Sequence, residues 1–531
     1  MRTLPMVFLL ACSAVQAVAQ ANTTAPADYF PAAVTCPRLQ ICPQLIDTLD
    51  KLTPLGLKYF NVPGAAIALI QNGKVLYARG FGVRNIGSGE PFTLDTVYRI
   101  GSTGKAITSM LVATEVDKGL VAWDTPVHSL RSDFQLPNQE LTDTIQVQQL
   151  MNMGTGIDDA PFLEYADLDS PEHLWHRVRD LKVFAPPETE YKYNNSIYAL
   201  GGYVGALAQG VPIPKLLDYY KSAVKDQIFD PIGMPSTEVT DHPETLSNNV
   251  ATPYKYDLTQ DVYPLHPNTY TPIRAVTPAG GIASTMNDMT RYIITQLQAG
   301  VGPNGNRVVS ALNLQKTWKG QIPLSPTAAY ALGWVDVQDE DVRVITHSGS
   351  LDGFKTDITM LPDSGIGVVI FTNSATGSYF GAAARWWILH VLYGHPISFV
   401  EDEISAYEKQ KAFIKSLRAS ILSNTTECSQ IAGFTGRYEK DWVVQYDNDQ
   451  RLWLTRKDYY HVPLVPIDHE YLLAAAWENI TLSSTRASLV NDPGGSAHIE
   501  FFQVGTDPSD RTWLDSVKLV KPEPVACGIT P

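Results

Sequence analysis

Hydrophobic positions follow two different periods along this chain, and they predict a sheet whose strands come from two separate parts of the sequence. Residues 62–82 read VPGAAIALIQNGKVLYARGFG, two β-rich runs joined by Asn72-Gly73, which is a strong signal for a two-residue hairpin. Four more β-like runs with Gly, Asp and Pro turns between them follow much later: YALGWVDVQ, DVRVITHSG, DGFKTDITMLP and IGVVIFTN. The stretch 120–260 carries short helical patterns and few clear strands. This arrangement predicts a layered α+β domain and differs from the regular β-α alternation of doubly wound folds.

The character of the chain changes after Asn373. Helical patterns run through RWWILHVLYG and then through VEDEISAYEKQKAFIKSLRASIL, whose dense charges are typical of an exposed connecting helix. From Gly433 onwards, short β-like runs alternate with turn residues, which predicts a small all-β domain, either a sandwich or a barrel, with a structural or substrate-shaping role. We therefore expect a signal peptide (1–19), a main domain (20–395), a helical connector (396–429) and a C-terminal β domain (430–531).

Length and composition are those of a globular protein with more than one domain. The 531 residues exceed what one hydrophobic core usually organises, and 44% of them are hydrophobic against 18% charged. The formal net charge is −15 and the Lys and Arg residues are dispersed. Neither nucleic acid nor a membrane is therefore an expected partner.

The first residues, MRTLPMVFLLACSAVQAVAQ, predict a secretory signal. One basic residue precedes a short apolar run that ends in small residues, and cleavage is expected near Ala19. The apolar run is too short to span a bilayer. We expect a soluble, secreted mature protein, with N-glycosylation at Asn22, Asn424 and Asn479 if the host glycosylates.

Four cysteines remain after the signal peptide is removed. An even number in an oxidising compartment predicts two disulfides, for which three connectivities are possible. Cys36 and Cys42 are close neighbours in a Pro-punctuated segment, while Cys428 and Cys527 bracket the C-terminal region. We predict that these are the two pairs.

The stretch YRIGSTGK (98–105) places a nucleophile and an amine three residues apart at a helix start. Positions i and i+3 share one helix face, so Ser102 Oγ and Lys105 Nζ can meet. From Ala106 the run AITSMLVATEVDKGL is apolar on nearly every side, typical of a helix buried between layers, and Gly119 is a natural stop. The free N–H groups of the first turn would favour a developing oxyanion and disfavour positive charge on Lys105.

A second group of residues lies in PPETEYKYNNSIYALGG (186–202). Tyr193 and Asn195 form Y-x-N at the mouth of an apolar helical pattern. A nearby Lys105 cation would lower the pKa of Tyr193, which could then take the proton of Ser102. We expect Asn195 to donate its amide to the substrate and to hold Lys105.

A third group follows in ITHSGSLDGF (345–354), on a β-like run that contains His347. A strand beside the nucleophile would offer backbone N–H groups to an oxyanion, and Gly349 would admit the substrate. The backbone N–H groups of Ser102 and Ser350 are therefore the candidate oxyanion hole.

None of these motifs is specific by itself. S-x-x-K recurs at Ser222 and Lys225 within an ordinary amphipathic helical pattern, and Y-x-N recurs at Tyr446 in a turn. Neither of these second copies has the order and surroundings of the motifs at Ser102 and Tyr193. The assignment therefore rests on the three motifs taken together.

Taken together, the motifs resemble the serine β-lactamase and penicillin-binding protein superfamily, in particular its class C-like branch of β-lactamases, D-aminopeptidases, carboxylesterases and acyltransferases. The resemblance covers residues 50–395 and rests on an ordered series: VPGAAIALIQNGKVLYARGFG, YRIGSTGK, YKYNNSIYALGG, TPAGGIAST, YALGW and HSGSLDGFKTDITMLPDSGIGVVIFTN. It implies a β-lactamase/transpeptidase-like fold, in which an antiparallel sheet is flanked by helices and carries a helical subdomain. The C-terminal region resembles the small barrel-like domain of many secreted members.

The resemblance also implies a serine hydrolase with esterase or amidase activity, working through a covalent acyl-enzyme. Ser102 would be the nucleophile, while Lys105 and Tyr193 would share the general-base and general-acid roles, and which of them takes the first proton stays open. The positions that contact substrate and oxyanion would be Asn195, His347, Gly349 and Ser350.

Two departures from the family pattern affect the expected substrate. His347 stands where β-lactamases and penicillin-binding proteins usually have Lys, and His is largely neutral at pH 7. This lowers the expectation for a β-lactam or peptidoglycan and raises it for an uncharged ester, lactone or amide, compatible with secondary metabolism. The second departure is QLMNMGTGID (149–158), where relatives usually carry His-Thr-Ser-Gly.

Other reaction classes find little support. Ile100 occupies the first glycine position of a G-x-S-x-G elbow, and His173-x-x-His176 lacks the Glu of H-E-x-x-H. No cofactor and no metal are therefore implied, and a small-molecule acyl substrate is the expected partner. An acyltransferase with the same acyl-enzyme and a catalytically silent binding or scaffold protein stay open, as does the oligomeric state.

Overall fold

The structure of the protein is a computed structural model. It describes residues 34–160, 168–255, 262–267, 273–394, 398–423, 434–446, 452–456, 460–467, 470–473, 485–491, 497–504 and 511–522.

Ahead of the C-terminal region, the described residues form short and long strands. These are β1 (Gly64–Gln71), β2 (Lys74–Gly82), β3 (Tyr98–Arg99), β4 (Glu238–Val239), β5 (Tyr254–Lys255), β6 (Tyr263–Pro264), β7 (Ile282–Ser284), β8 (Ile322–Ser325), β9 (Ala328–Tyr330), β10 (Val335–Asp339), β11 (Val342–Leu351), β12 (Phe354–Leu361) and β13 (Ile366–Thr372).

The described helices follow the same chain order. They are α1 (Pro43–Tyr59), α2 (Gly104–Asp117), α3 (Val127–Leu130), α4 (Gln139–Thr144), α5 (Val147–Met151), α6 (Pro171–Arg177), α7 (Asn195–Gly201), α8 (Val204–Ala208), α9 (Leu216–Val224), α10 (Asp230–Ile232), α11 (Met286–Leu297), α12 (Ala311–Trp318), α13 (Gly377–Tyr393) and α14 (Ser398–Ser423).

The main sheet has eight strands in the order β2-β1-β13-β12-β11-β10-β9-β8, and every neighbouring pair is antiparallel. The first two strands and the last strands of the segment thus meet at the β1–β13 pairing, as the sequence predicts. Strands β12 and β13 are buried along their whole length, which requires cover on both faces of the sheet.

Helices lie on both faces of this sheet. On β13, Gly367 lies against Ile293 of α11, whereas Ile370 lies against Gly381 of α13. Positions 367 and 370 point to opposite faces because side chains alternate along a strand. The α+β fold with an antiparallel sheet flanked by helices is therefore confirmed.

The hairpin between β1 and β2 turns at Asn72 and Gly73, whose φ angles are 51° and 74°. Two successive residues with positive φ are the requirement of the tight turn that matches the twist of paired strands. The Asn-Gly prediction is confirmed at this position.

Helix α2 lies inside the fold. Every residue from 104 to 115 is buried, and the helix ends before Gly119, which has φ 69°. Two of its hydroxyl side chains are satisfied within the helix: Ser109 Oγ donates to the Ala106 carbonyl at 2.9 Å and Thr114 Oγ1 donates to the Leu111 carbonyl at 2.7 Å. A third, Thr108 Oγ1, donates to the Pro278 carbonyl at 2.7 Å. The helix can therefore be buried all round without unpaired hydroxyl groups.

The C-terminal region forms a closed antiparallel barrel. Along its strands Trp442 and Val444 are buried, as are Leu452 and Leu454, with the period of two expected for a strand that has one inward face. Its strands are β14 (Gly436–Tyr438), β15 (Trp442–Tyr446), β16 (Leu452–Arg456), β17 (Tyr460–Ile467), β18 (Glu470–Leu473), β19 (Thr485–Asn491), β20 (Ala497–Val504) and β21 (Arg511–Pro522).

The described residues group into two compact units. One lies within Pro26–Tyr254 and Thr271–Ile404 and contains the main sheet, and the other lies within Lys255–Tyr270 and Ser405–Pro531 and contains the barrel. Among the described residues, no helix combines the length and the apolar character that a membrane span requires.

The predicted disulfide between Cys36 and Cys42 is present, with the two Cα atoms 5.6 Å apart. Several other expectations fall outside the described residues. These are the signal peptide (1–19), the second disulfide (Cys428 and Cys527) and the glycosylation sites (Asn22, Asn424 and Asn479).

Candidate active site

Ser102 lies in a short 3₁₀ turn, Gly101–Thr103, that leads directly into α2. We call this segment the nucleophile turn. Gly101 has φ 54°, and a Cβ atom there would lie 2.8 Å from the backbone nitrogen of Ser350. A residue with a side chain would not fit here, because φ is positive and the Ser350 backbone is too close to a Cβ atom. Ser102 is partly exposed while its two neighbours in the turn are buried, so its side chain is the accessible group.

Lys105 reaches the nucleophile from the first turn of α2. Its Nζ lies 3.2 Å from Ser102 Oγ, 2.7 Å from Asn195 Oδ1 and 2.7 Å from the carbonyl oxygen of Ala279. The side chain is completely buried. Burial holds the pKa of Lys105 well below its usual value, and the charge of Asp159 acts in the opposite direction. The neutral amine is therefore favoured beside Ser102.

Tyr193 packs against Lys105, whose Nζ lies 4.6 Å from the centre of the phenol ring. Burial raises the pKa of Tyr193 well above its usual value, and the nearby Ser102 hydroxyl acts more weakly in the opposite direction. The Tyr193 hydroxyl is buried and has no well-aligned hydrogen-bond partner among the described residues. The expectation that Lys105 would lower this pKa is wrong, because the dry surroundings disfavour both the phenolate and the ammonium.

Asn195 is placed by the start of α7. The preceding residue, Asn194, caps the helix by accepting a hydrogen bond from the Ile197 N–H at 2.8 Å, and its own amide donates to the Ile157 carbonyl at 2.9 Å. The Asn195 side chain turns its oxygen to Lys105, as expected. Its Nδ2 donates to Asp159 at 3.3 Å, which engages one of the two N–H groups that the sequence assigned to substrate.

His347 lies on β11 with both ring nitrogens engaged. Nδ1 lies 2.6 Å from the Ser348 carbonyl oxygen and Nε2 lies 3.0 Å from the Tyr330 hydroxyl. Because a carbonyl oxygen only accepts, Nδ1 carries the proton and Nε2 accepts from Tyr330. Burial, and then the charge of Lys105, lowers the pKa of His347 to about 3, so the ring is neutral at neutral pH.

Gly349 and Ser350 bring β11 into backbone contact with the nucleophile turn. A Cβ atom at Gly349 would lie 2.2 Å from the Ile100 carbonyl oxygen and 3.0 Å from the Thr103 nitrogen. The close approach of Ser350 to Gly101 places the two candidate oxyanion donors on adjoining backbones.

A second buried amine lies behind this strand. Lys355 Nζ donates a hydrogen bond to Ser350 Oγ. Its neighbour Thr356 faces the nucleophile turn, where its hydroxyl donates to the Ile100 carbonyl at 2.9 Å. Because side chains alternate along a strand, Lys355 points to the opposite face of the sheet and does not replace the lysine that is absent at His347.

The second S-x-x-K copy has a different setting. Ser222 Oγ donates to the Asp218 carbonyl at 3.1 Å, and Lys225 Nζ pairs with Asp230 at 2.6 Å on the protein surface. The hydroxyl and the amine of this copy are thus occupied by other partners.

Sequence reasoning missed several contributors to the site. Tyr330 and Ala279 lie in YALGW and TPAGGIAST, which supported the resemblance without receiving a role. Asp159 directly follows the atypical stretch 149–158, and nothing in the local sequence distinguishes it from Asp158.

The fold is β-lactamase/transpeptidase-like, and the site contains the serine and the lysine of an S-x-x-K motif. These two features together define the class to which the protein belongs. The family model described as Beta-lactamase matches residues 54–392, which is more than half of the chain. The chain belongs to the β-lactamase family.

Three comparisons extend this result. The chain is 24% identical over 454 residues to "Unguisins hydrolase ungD'" of Aspergillus campestris, covering 78% of this chain and 82% of the relative. It is 26% identical over 331 residues to "Penicillin-binding protein 4" of Amycolatopsis lactamdurans, covering 60% and 83%. The octameric penicillin-binding protein homologue from Pyrococcus abyssi has a similar fold, with a TM-score of 0.57 at 22% identity over 89% of this chain and 99% of that one.

A second relative named for unguisins, from Aspergillus violaceofuscus, is 26% identical over 352 residues. The match covers 61% of either chain, so this protein spans about three fifths of that relative.

Proposed function

We propose that this protein is a secreted serine hydrolase that cleaves an uncharged ester, lactone or amide through a covalent acyl-enzyme at Ser102. The main support for this proposal is the hydrogen bonding of Lys105 Nζ. The oxygens of Asn195 and Ala279 can only accept, so a neutral amine uses both of its N–H groups on them and directs its lone pair at the Ser102 hydroxyl. Burial favours that neutral form. Lys105 is the group that we propose takes the first proton.

In acylation, Ser102 Oγ bonds to the substrate carbonyl carbon while its proton passes to Lys105 and the carbonyl electron pair moves onto oxygen. The intermediate then expels the alcohol or amine, which takes a proton from Tyr193, and Lys105 returns its proton to Tyr193. The Tyr193 phenol is suited to this donor role because burial raises its pKa. Water then attacks the acyl carbon of the acyl-enzyme through the same proton transfers. The acid is released and the Ser102 hydroxyl is restored.

The proposed oxyanion hole consists of the backbone N–H groups of Ser102 and Ser350. Its support is the tight backbone contact between Gly101 and Ser350, which fixes two donors without any side-chain rotation. Preorganised donors of this kind stabilise the charge that develops on the carbonyl oxygen.

The neutral state of His347 supports an uncharged group next to the scissile bond. A lysine in this position would present a permanent cation to a substrate carboxylate, whereas the hydrogen-bonded imidazole presents none. Two relatives are named as hydrolases of unguisins, which makes unguisins the first natural compounds to test.

The test is turnover of short-chain p-nitrophenyl esters, a β-lactam and unguisins by wild type, Ser102→Ala and Ser222→Ala. Ser222→Ala is the matched control because it removes the serine of the other S-x-x-K copy. We expect Ser102→Ala to fall to the uncatalysed rate with every substrate that wild type cleaves, and Ser222→Ala to retain wild-type rates. Equal rates for Ser102→Ala and wild type would refute the assignment of the nucleophile.

Hydrolysis is favoured over the two alternatives by specific observations. The unguisins relatives are named as hydrolases, which supports water as the acyl acceptor over an alcohol or amine. A silent scaffold would gain nothing from a fully buried lysine held beside a partly exposed serine, since burying an amine is costly. Secretion is part of the proposal, and N-terminal sequencing of exported protein should begin after Ala19.

A further inference from the structure

The carboxylate of Asp159 lies against the start of α7 and accepts hydrogen bonds from two consecutive residues. Its Oδ2 accepts from the backbone N–H of Asn195 at 2.8 Å and from Asn195 Nδ2 at 3.3 Å. Its Oδ1 accepts from the backbone N–H of Ser196 at 2.9 Å and from the Ser196 hydroxyl. Asp159 therefore fixes both the backbone and the side chain of the residue that contacts Lys105.

These contacts decide which way the Asn195 amide points. An ionised carboxylate only accepts hydrogen bonds, so it selects the NH₂ end of the amide and leaves the oxygen end for the opposite direction. In that direction Asn195 Oδ1 lies 2.7 Å from Lys105 Nζ. With the amide reversed, an NH₂ group would face the amine, and Lys105 would lose one of the two acceptors that hold it.

We propose that Asp159 is a positioning residue that locks the Asn195 amide and thereby presents the lone pair of Lys105 to Ser102. This inference rests on the proposed function in one respect, namely that Lys105 receives the proton of Ser102.

The same carboxylate also acts on Lys105 by its charge. Burial lowers the pKa of Lys105, and the negative charge of Asp159 opposes that shift. Removal of this charge should therefore lower the pKa of Lys105 further. Among the described residues, three other titratable groups interact with Lys105, and burial keeps each of them neutral. They are Tyr193, Tyr198 of α7 and His347 of β11.

Asp159→Asn separates this role from simple structural support. The variant loses the charge, and its amide can face Asn195 with either end. The acidic limb of the pH profile for acylation by a p-nitrophenyl ester should move to lower pH by about one unit or more. The maximal rate should fall about tenfold to a hundredfold, because the base is no longer held in line with Ser102.

Asp158→Asn is the matched control. Asp158 is the adjacent carboxylate, but it pairs with Lys192 and does not contact Asn195. The acidic limb of the pH profile for acylation should stay at the wild-type position in Asp158→Asn. Asp159→Glu keeps the charge and displaces the carboxylate, so the limb should also stay while the maximal rate falls. A wild-type rate in Asp159→Glu would overturn the positioning role even if Asp159→Asn fails to fold.

A second readout does not depend on activity. Protein labelled with ¹³C at lysine Cε, with the Lys105 signal assigned by its loss in Lys105→Arg, reports the titration of Lys105 directly. We expect its midpoint to fall in Asp159→Asn and to be unchanged in Asp158→Asn, whereas an unchanged midpoint in Asp159→Asn would overturn the inference. A lowered midpoint in a protein that cleaves no ester would support the role of Asp159 and count against the proposed function.

Discussion

The Arg99 guanidinium and the Asp352 carboxylate form an ion pair without solvent exposure, with 2.5 Å between Nη1 and Oδ2. Arg99 stands three residues before Ser102, and Asp352 stands two residues after Ser350 in the turn between β11 and β12. The pair thus ties the nucleophile turn to the strand end that carries the second proposed oxyanion donor.

Loss of one partner of this pair should be costly. Asp352→Ala removes the close partner of the buried Arg99, whose contact to Asp241 is longer at 3.5 Å, so the free energy of unfolding should fall by about 3–5 kcal/mol. Asp341→Ala is the control, because its pair with Arg38 is exposed and should contribute little. Denaturant unfolding of both variants checks this, and equal losses would contradict a special role for the buried pair.

Gly349 should not tolerate a side chain. A Cβ atom would lie 2.1 Å from Thr356 Oγ1 and 2.2 Å from the Ile100 carbonyl oxygen, so Gly349→Ala must push β11 away from the nucleophile turn. We expect a stability loss of about 1–3 kcal/mol and a larger loss of ester turnover than of stability alone. Gly381→Ala is the control, since among the described residues outside its own helix the nearest atom to its Cβ would belong to Ile370, at 3.9 Å. Wild-type turnover in Gly349→Ala would show that this contact does not matter.

His347 should make the fold sensitive to acid. Its pKa is about 3 in the folded protein against about 6.5 when unfolded, so the unfolded chain binds the extra proton between these values. The stability that the neutral ring contributes is present above pH 6.5 and is lost as the pH falls towards 3. His347→Gln cannot titrate and should lose less stability than wild type between about pH 7 and about pH 4.

Unfolding free energies measured across that range test the His347 prediction. His173→Gln is the control, because it removes an imidazole that is exposed on α6 and lies outside the site. If the free energy of unfolding changed with pH by the same slope in wild type and in His347→Gln, the buried neutral imidazole would be contradicted.

Glu115 should have the opposite effect on stability. Burial raises its pKa to about 8, and only the Tyr219 hydroxyl donates to Oε1 from a side chain among the described residues, at 3.3 Å. Between pH 4.5 and about 8 the folded protein keeps a proton that the unfolded chain loses, so the stability that it contributes declines as the pH rises through this window. Glu115→Gln should therefore gain stability relative to wild type from pH 5 to pH 8. Glu172→Gln is the control, because it removes an exposed carboxylate of α6.

Local sequence signals predicted the parts of the fold that depend on short-range chemistry. Asn72-Gly73 fixed the first hairpin because few other pairs accept two positive φ angles. The apolar run after Lys105 predicted a buried helix, and α2 is buried on all sides. The choice between a sandwich and a barrel needs the pairing of β14 with β21, far apart in sequence, and no local pattern encodes that closure.

The candidate site was predictable as a set of residues but not as an electrostatic environment. The i, i+3 spacing of Ser102 and Lys105 already implies their contact. The pKa of Tyr193 depends instead on how completely surrounding chain segments exclude water, which a motif does not reveal. Asp159 was missed for a related reason, since its role exists only once the chain brings it to the start of α7.

The most direct test of the account is the intact mass of the protein after acid quench during reaction with a short-chain p-nitrophenyl ester. The wild-type mass should rise by the mass of one acyl group, on a peptide that contains Ser102, and Ser102→Ala should show no increase. Ester turnover by wild type with the acyl group on another residue, or an equal mass increase in Ser102→Ala, would contradict the proposed acyl-enzyme.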